Sequence, residues 1–227
     1  MTKSSRYPLF VLLQSLIIAG IVCVVIWKQK PTHPVLTEIL NENNPDYFSD
    51  IGATQKFAQF VWKETIKSFP AASNLKMPKV HFTASPSKKL GYTDSLYGVY
   101  LCSEQSVVVF VTEHVGALGV DLSLDEGKSA PSAIIQFLGK KDVQGHLGVT
   151  LVHEFKHHIL HASQVRSTRH HQQMLHNKDM FKLMKRVAGS VSNNSDIFLK
   201  LEKDILETSV AKDLKEELTI ATQKSSR

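Results

Sequence analysis

Hydrophobic residues are spaced differently in the first and second parts of this chain. Residues 8–27 form one apolar run without a charged side chain, and a helix of that length spans the roughly 30 Å core of a membrane. Residues 28–50 then hold three prolines among several asparagines, a composition typical of turns and linkers. We therefore predict four segments: a basic flank at 1–7, a transmembrane anchor at 8–27, a linker at 28–50 and a folded domain at 51–227.

Within the folded domain, helical spacing is replaced by short β-branched runs and then returns. The apolar residues of 52–69 recur at helical intervals, and Pro70 ends the pattern. Short runs of β-branched and aromatic residues follow between 79 and 137. Helical spacing resumes in three segments, 143–164, 172–188 and 195–220. This order predicts an α+β fold in which a small, mostly antiparallel sheet packs on the helix at 143–164.

Composition and charge exclude several classes of protein. The 227 residues are 42% hydrophobic and 21% charged, which is typical of a globular domain and not of a disordered chain. The net charge of +6 comes from basic residues scattered among acidic ones, so we predict no nucleic-acid partner. Two cysteines, Cys23 and Cys102, are too few for a disulfide framework or a cysteine-based zinc site.

The flanks of the apolar run bear on localisation. Two basic residues precede the run, Lys3 and Arg6, and two follow it, Lys28 and Lys30. The N-terminal amino group therefore gives the N-terminal side one more positive charge, and the more positive side of a membrane helix usually stays in the cytoplasm. The run is longer than the core of a signal peptide and lacks a small-x-small cleavage site. We expect a single-pass membrane protein whose folded domain lies outside the cytoplasm.

One short motif points to chemistry. The segment TLVHEFKHHILH, residues 150–161, contains His153, Glu154 and His157 in the spacing HExxH. Positions i and i+4 share one face of a helix, so the two histidines can bind the same metal ion. Glu154 follows His153 directly, where a carboxylate can accept a proton from an attacking water.

Residues 150–161 resemble the zincin superfamily of metallopeptidases. The resemblance implies a Zn²⁺ cofactor held by His153 and His157, with Glu154 as the general base that activates a zinc-bound water. It also implies a protein or peptide substrate. Leu160 and Ser163 stand where a metzincin has glycine and histidine, so this subclass is excluded.

A third zinc ligand must come from outside the motif. His161 continues the i, i+4 series, but three successive turns span roughly 12 Å, too far for three rings to converge on one ion. In gluzincins, which the resemblance favours, a glutamate from a later helix completes the site. The segment 195–220 offers four candidates, namely Glu202, Glu207, Glu216 and Glu217.

A helical wheel separates these glutamates. One apolar stripe of this segment contains Leu199, Leu206, Val210, Leu214 and Leu218. Glu207 falls on the stripe and Glu202 falls outside it, so we predict Glu207 as the third ligand and keep Glu202 as the alternative. The segment ETSVAKD around Glu207 loosely resembles the membrane-linked gluzincins that include the CAAX prenyl endopeptidases and the HtpX-type proteases.

Together these features predict a membrane-anchored zinc metallopeptidase that hydrolyses peptide bonds. We expect the predicted strand at 133–138 to bind the substrate as an added extended strand. The alternative is a non-catalytic, membrane-tethered interaction protein with an accidental or idle HExxH motif. The oligomeric state stays open.

Overall fold

The computed structural model describes residues 34–40, 47–48, 52–119, 137–164 and 169–225. The helices of this part are α1 (Pro34–Ile39), α2 (Gly52–Ser68), α3 (Val111–Ala117), α4 (Lys141–Ala162), α5 (His170–Leu175), α6 (Lys178–Gly189) and α7 (Ser195–Ser225). The strands are β1 (Tyr47–Phe48), β2 (Lys79–Thr83), β3 (Gly98–Leu101) and β4 (Ser106–Phe110). Short 3₁₀ turns lie at Pro70–Ala72 and Ser87–Leu90.

The four strands form one sheet in the order β1-β2-β4-β3. The central pair β2–β4 is parallel, with Val80 opposite Val107, whereas β1–β2 and β3–β4 are antiparallel. β3 is an edge strand, and its register places Val99 opposite Val108. This edge position matters for the site, because β3 packs beside α4.

Both faces of the sheet are covered. All five residues of β4 are buried, and this strand reads SVVVF without a polar-apolar alternation. Such a continuous apolar run is typical of a strand that packs on both sides. One face joins the main core around α4, and the other packs with Leu36 and Ile39 of α1 in a smaller cluster.

Helix α4 is the centre of the main core. It contacts α2, α6, α7 and β3, and Leu147, Leu151 and Phe155 are almost fully buried on it. Gly145 allows α7 to approach closely, because a Cβ at this position would lie 2.6 Å from the Phe198 ring. The motif helix is therefore held from several sides, which restricts the orientation of its polar residues.

The predicted fold class is wrong. Helices of 17, 22, 12 and 31 residues dominate the described chain, while its strands have two to five residues. The architecture is mostly helical with a small sheet. Two of the three strand pairings in the described sheet are antiparallel, as expected, and the central pairing of β2 with β4 is parallel.

The predictions that concern the membrane also need correction. No helix of the described residues is long and apolar enough to cross a membrane. The two longest helices, α4 and α7, carry charged residues along their length. This finding contradicts the predicted single-pass, extracytoplasmic localisation and the transmembrane element of the predicted fold. The apolar run at 8–27, on which those predictions depend, lies outside the described residues.

Two further segments differ from expectation. Part of the predicted linker at 28–50 is structured, since α1 buries Leu36 and Ile39 and β1 pairs with β2. Most of the predicted substrate strand at 133–138 lies outside the described residues, and Phe137 and Leu138 are helical.

Candidate metal centre

The HExxH residues lie on the buried middle of α4. Val152, just before the motif, and Phe155, inside it, are fully buried, so core packing fixes the helix at the motif. His153 and Glu154 are only 7% and 5% exposed, and His157 is half-buried at the pocket wall. Polar side chains buried to this degree need specific partners.

The two motif histidines point ring nitrogens at each other. The distance from His153 Nε2 to His157 Nε2 is 2.9 Å, and the ring centroids are 4.8 Å apart. Two nitrogens that bind one tetrahedral zinc at 2.0–2.1 Å lie about 3.3 Å apart. The observed pair is close to this spacing, so the side chains fit a shared metal ion.

Glu202 of α7 binds the other side of the His153 ring. Its Oε1 contacts His153 Nδ1 inside the core, and Glu202 is 3% exposed. Burial alone lowers the pKa of His153, but the adjacent Glu202 carboxylate outweighs burial and raises this pKa to about 9. Glu202 thereby fixes the ring so that Nε2 faces His157.

Glu207 does not face the motif histidines. It is exposed on α7 and is absent from the residues that line the pocket, whereas Glu202 is among them. The helical phase inferred from the leucine stripe is therefore corrected. The buried side of α7 contains Phe198, Glu202 and Leu206, and Glu207 lies about 180° from Phe198 at 100° per residue.

A third histidine approaches the pair from α5. One ligand atom from each of His153, His157 and His171 lies within 4.8 Å of the others. The His171 ring is 5.2 Å from the His157 ring and 6.0 Å from the His153 ring, measured between centroids. Burial lowers the pKa of His171 although Asp213 hydrogen-bonds to it, which favours a neutral ring.

His171 is held by a carboxylate in the same way as His153. Asp213 Oδ2 lies 2.9 Å from His171 Nδ1. The sequence did not identify His171 as a ligand, because it follows His157 by fourteen residues and belongs to no contiguous motif. The doublet His170–His171 at the start of α5 is the signal that was available.

Glu154 lies between the motif helix and β3. Its carboxylate accepts a hydrogen bond from the Tyr100 backbone N–H, and its Oε1 would lie 3.3 Å from a Cβ at Gly98. Burial raises the pKa of Glu154 to about 7, although the neighbouring His153 lowers it and Tyr100 donates to it. A carboxyl group in this range can accept and release a proton near neutral pH.

These side chains line one open pocket of about 650 Å³. β3 and the segment before it form one wall, α4 forms a second wall, and α5 and α7 form a third. Lys212 of α7, in the third wall, forms an ion pair with Asp94 of the segment before β3. The pocket is large enough for a few residues of an extended chain and is mostly apolar, with ionisable groups contributed by α4, α5 and α7.

Three other polar residues of the motif helix, Lys156, His158 and His161, have partners outside the histidine pair. The ammonium group of Lys156 lies 3.9 Å from the centre of the Phe69 ring. The Tyr100 hydroxyl lies 2.9 Å from His158 Nδ1 and 3.1 Å from His161 Nδ1. His161 is therefore hydrogen-bonded to Tyr100, which agrees with its exclusion as a zinc ligand. Lys156, the lysine inside the motif, does not obstruct the site.

The chain matches no protein-family model, no curated protein and no solved structure. Only the geometry of the site therefore bears on the activity of this protein.

Proposed function

We propose that this protein is a zinc-dependent hydrolase that cleaves peptide bonds. The observation that carries the proposal is the pair of facing Nε2 atoms of His153 and His157, 2.9 Å apart in the wall of a pocket. Glu154 follows directly on the same helix and is almost fully buried. This combination of two nitrogen donors and one adjacent carboxylate is what metal-assisted hydrolysis requires.

The donor set favours zinc over harder cations. Imidazole nitrogens suit zinc and other late transition metals, whereas Ca²⁺ and Mg²⁺ prefer oxygen ligands. The described cluster of His153, His157 and His171 contains nitrogen donors alone. A zinc ion bound there would polarise a carbonyl group and lower the pKa of a coordinated water towards 7.

Glu154 would act as the general base. The Tyr100 N–H holds its carboxylate beside the pocket, and burial keeps its pKa near neutrality, at about 7. Such a carboxylate accepts a proton from water and then releases it to the departing amine. Glu202 would keep His153 oriented by holding its Nδ1.

The free edge of β3 favours a peptide as the substrate. The Tyr97 carbonyl accepts a hydrogen bond from Phe110 N–H of β4, so the alternation along an antiparallel pair turns the backbone groups of Gly98 and Tyr100 towards the outer edge. The Tyr100 N–H donates to Glu154, so a peptide would pair with the backbone of Gly98 and with the Tyr100 carbonyl. No strand of the described residues pairs with this edge. An extended peptide can add there as a further strand, which places its backbone next to Glu154.

The experiment that tests this function compares Glu154→Gln with the unchanged chain. Both proteins are reconstituted with one equivalent of zinc and incubated with a peptide library made by digesting a proteome, and new peptide termini are identified by mass spectrometry. Loss of the general base should lower the rate of cleavage by about 10²–10⁴-fold. Zinc content should be unchanged, because the replaced side chain is not a ligand.

Glu207→Gln is the matched control, since Glu207 is exposed and outside the pocket lining. Its cleavage rate should equal that of the unchanged chain. Cleavage by Glu154→Gln at the same rate would overturn the general-base assignment. A chain that binds one zinc but yields no new termini at all would overturn the proposed activity and favour an idle metal site.

A further inference from the structure

Two histidines of the pocket share an arrangement that is typical of metal ligands. Glu202 Oε1 contacts His153 Nδ1, and Asp213 Oδ2 lies 2.9 Å from His171 Nδ1. Both carboxylates come from the same helix, α7, eleven residues apart. Metal-binding histidines almost always donate the N–H of the second ring nitrogen to such a partner, which orients the ring and fixes the tautomer.

The position of Glu202 argues against a direct bond from this carboxylate to the metal. The two nitrogens of an imidazole ring point away from each other, and His153 uses Nδ1 for Glu202 and Nε2 towards His157. A metal ion between the two Nε2 atoms therefore lies on the opposite side of the His153 ring from Glu202. A different residue must supply the third donor.

His171 meets this need. It belongs to the described group of three histidines whose ligand atoms lie within 4.8 Å of one another. Its Nδ1 faces Asp213, which leaves Nε2 for the metal. Arg169 also lies 3.9 Å from Glu217 of α7, so a second ion pair holds the start of α5 against this helix.

A second possible group of metal ligands also contains His171. His170, His171 and Asp213 also have ligand atoms within 4.8 Å of one another. All three are only half-buried, whereas the set with His153 includes a buried histidine of the motif helix. A metal in the second set would also compete with the contact between Asp213 and His171 Nδ1.

We propose that His171 is the third protein ligand of the metal centre, and that Asp213 and Glu202 are positioning residues for His171 and His153. The inference depends on the zinc site of the proposed function but not on peptide cleavage. The site would then have three histidine ligands, with His171 in the place of the glutamate of a gluzincin, and α5 and α7 would support these ligands.

Zinc affinity provides the first test. The full chain is stripped with a chelator, and zinc is titrated in competition with a chromophoric chelator. His171→Ala should weaken binding by more than about 100-fold, because it removes a coordinating nitrogen. Asp213→Asn should weaken it by about 10–100-fold as a positioning residue. His170→Ala, the adjacent histidine, is the matched control and should change affinity by less than about threefold.

A spectroscopic test separates a ligand from a residue that only supports the fold. His171→Cys is loaded with Co²⁺ in a Cys102→Ser background, because Cys102 lines the same pocket. A thiolate bound to Co²⁺ adds a charge-transfer band in the near ultraviolet. The band should appear with His171→Cys and be absent from His170→Cys and from the background protein.

Each outcome distinguishes the inference from the proposed activity. No band with His171→Cys, together with unchanged zinc affinity of His171→Ala, would overturn the inference even if peptides are cleaved. Loss of zinc from His170→Ala but not from His153→Ala would assign the metal to the second set and also overturn it. The band together with the expected affinity losses would support the inference even if no peptide is cleaved.

Discussion

At the scale of the residue, Gly98 determines how closely β3 approaches the motif helix. A Cβ at this position would lie 2.9 Å from Thr150 Cγ2 and 3.1 Å from Glu154 Cγ. Both atoms belong to the buried side of α4. Glycine is therefore required here by the close approach of two elements rather than by backbone conformation.

Gly98→Ala should displace Glu154 and strain the core. We expect the free energy of unfolding to fall by about 1–3 kcal/mol, as for other overpacked sites, and peptide cleavage to fall with it. Urea unfolding and the cleavage assay measure the two effects. Gly116→Ala is the control, since no atom lies within 4 Å of its added Cβ and alanine favours a helix by up to about 1 kcal/mol. Equal stability of both variants would show that the contact is not tight.

A second residue-scale feature is a pair of buried histidines away from the candidate metal centre. The rings of His114 and His146 are 4.7 Å apart, and the Nδ1 atom of each has no hydrogen-bond partner within the described structure. Burial lowers the pKa of His146 to about 4, and burial and His146 lower that of His114 well below its ordinary value. The folded protein therefore keeps both rings neutral.

This burial predicts a loss of stability in mild acid. The unfolded chain binds a proton at His146 below pH 6.5, whereas the folded chain does so only near pH 4. Stability should therefore fall as the pH drops through this window, by about 2 kcal/mol for His146 between pH 7 and pH 5. Urea unfolding at both pH values measures it.

His146→Gln should remove that part of the pH dependence, and His176→Gln, at an exposed position, should retain it. An identical decline for the unchanged chain and His146→Gln would contradict the assignment.

At the scale of the element, α7 shows what sequence patterns reveal and where they mislead. The predicted helix at 195–220 is confirmed, because α7 spans Ser195–Ser225. Its buried side was misjudged, since Leu214 and Leu218 are 45% and 69% exposed. These exposed leucines shifted the inferred stripe by about one quarter of a turn, and this shift selected Glu207 in place of Glu202.

For the other elements too, local spacing predicted the positions of helices and strands but not the contacts between distant segments. The helix at 143–164 and the runs KVHFTA, YGVYLC and SVVVFVT were located correctly, because spacing within a short segment reflects which residues are buried. The contact of His171 with the motif histidines was not predictable in this way. It depends on how α5 packs on α7, which involves residues far apart in the chain.

The corrected buried side of α7 predicts that substitutions at one core position and one surface position differ in their effect on stability. Phe198 is 1% exposed and packs against Gly145 of α4, so Phe198→Ala should lower the free energy of unfolding by about 3–5 kcal/mol. Leu218→Ala should change it by less than about 0.5 kcal/mol. Thermal or urea unfolding measures both. A larger cost for Leu218→Ala than for Phe198→Ala would restore the leucine stripe as the buried side.

At the scale of the whole molecule, the candidate metal centre is assembled from three helices, with β3 as the adjoining wall. His153 and His157 lie on α4, His171 lies on α5, and the two positioning carboxylates lie on α7. A metal ion bound there connects elements that are distant in sequence. Metal binding should therefore be coupled to the folded state, because the unfolded chain does not hold these groups together.

A zinc titration of peptide cleavage tests directly whether this protein is a zinc-dependent peptidase. The full chain is stripped of metal, zinc is added in substoichiometric steps, and the rate of cleavage is measured at each step. We expect no cleavage without metal, a linear rise in rate with added zinc, and a plateau at one zinc per chain. A rate that is unaffected by removing the metal, or an absence of cleavage at every zinc concentration, would contradict this expectation.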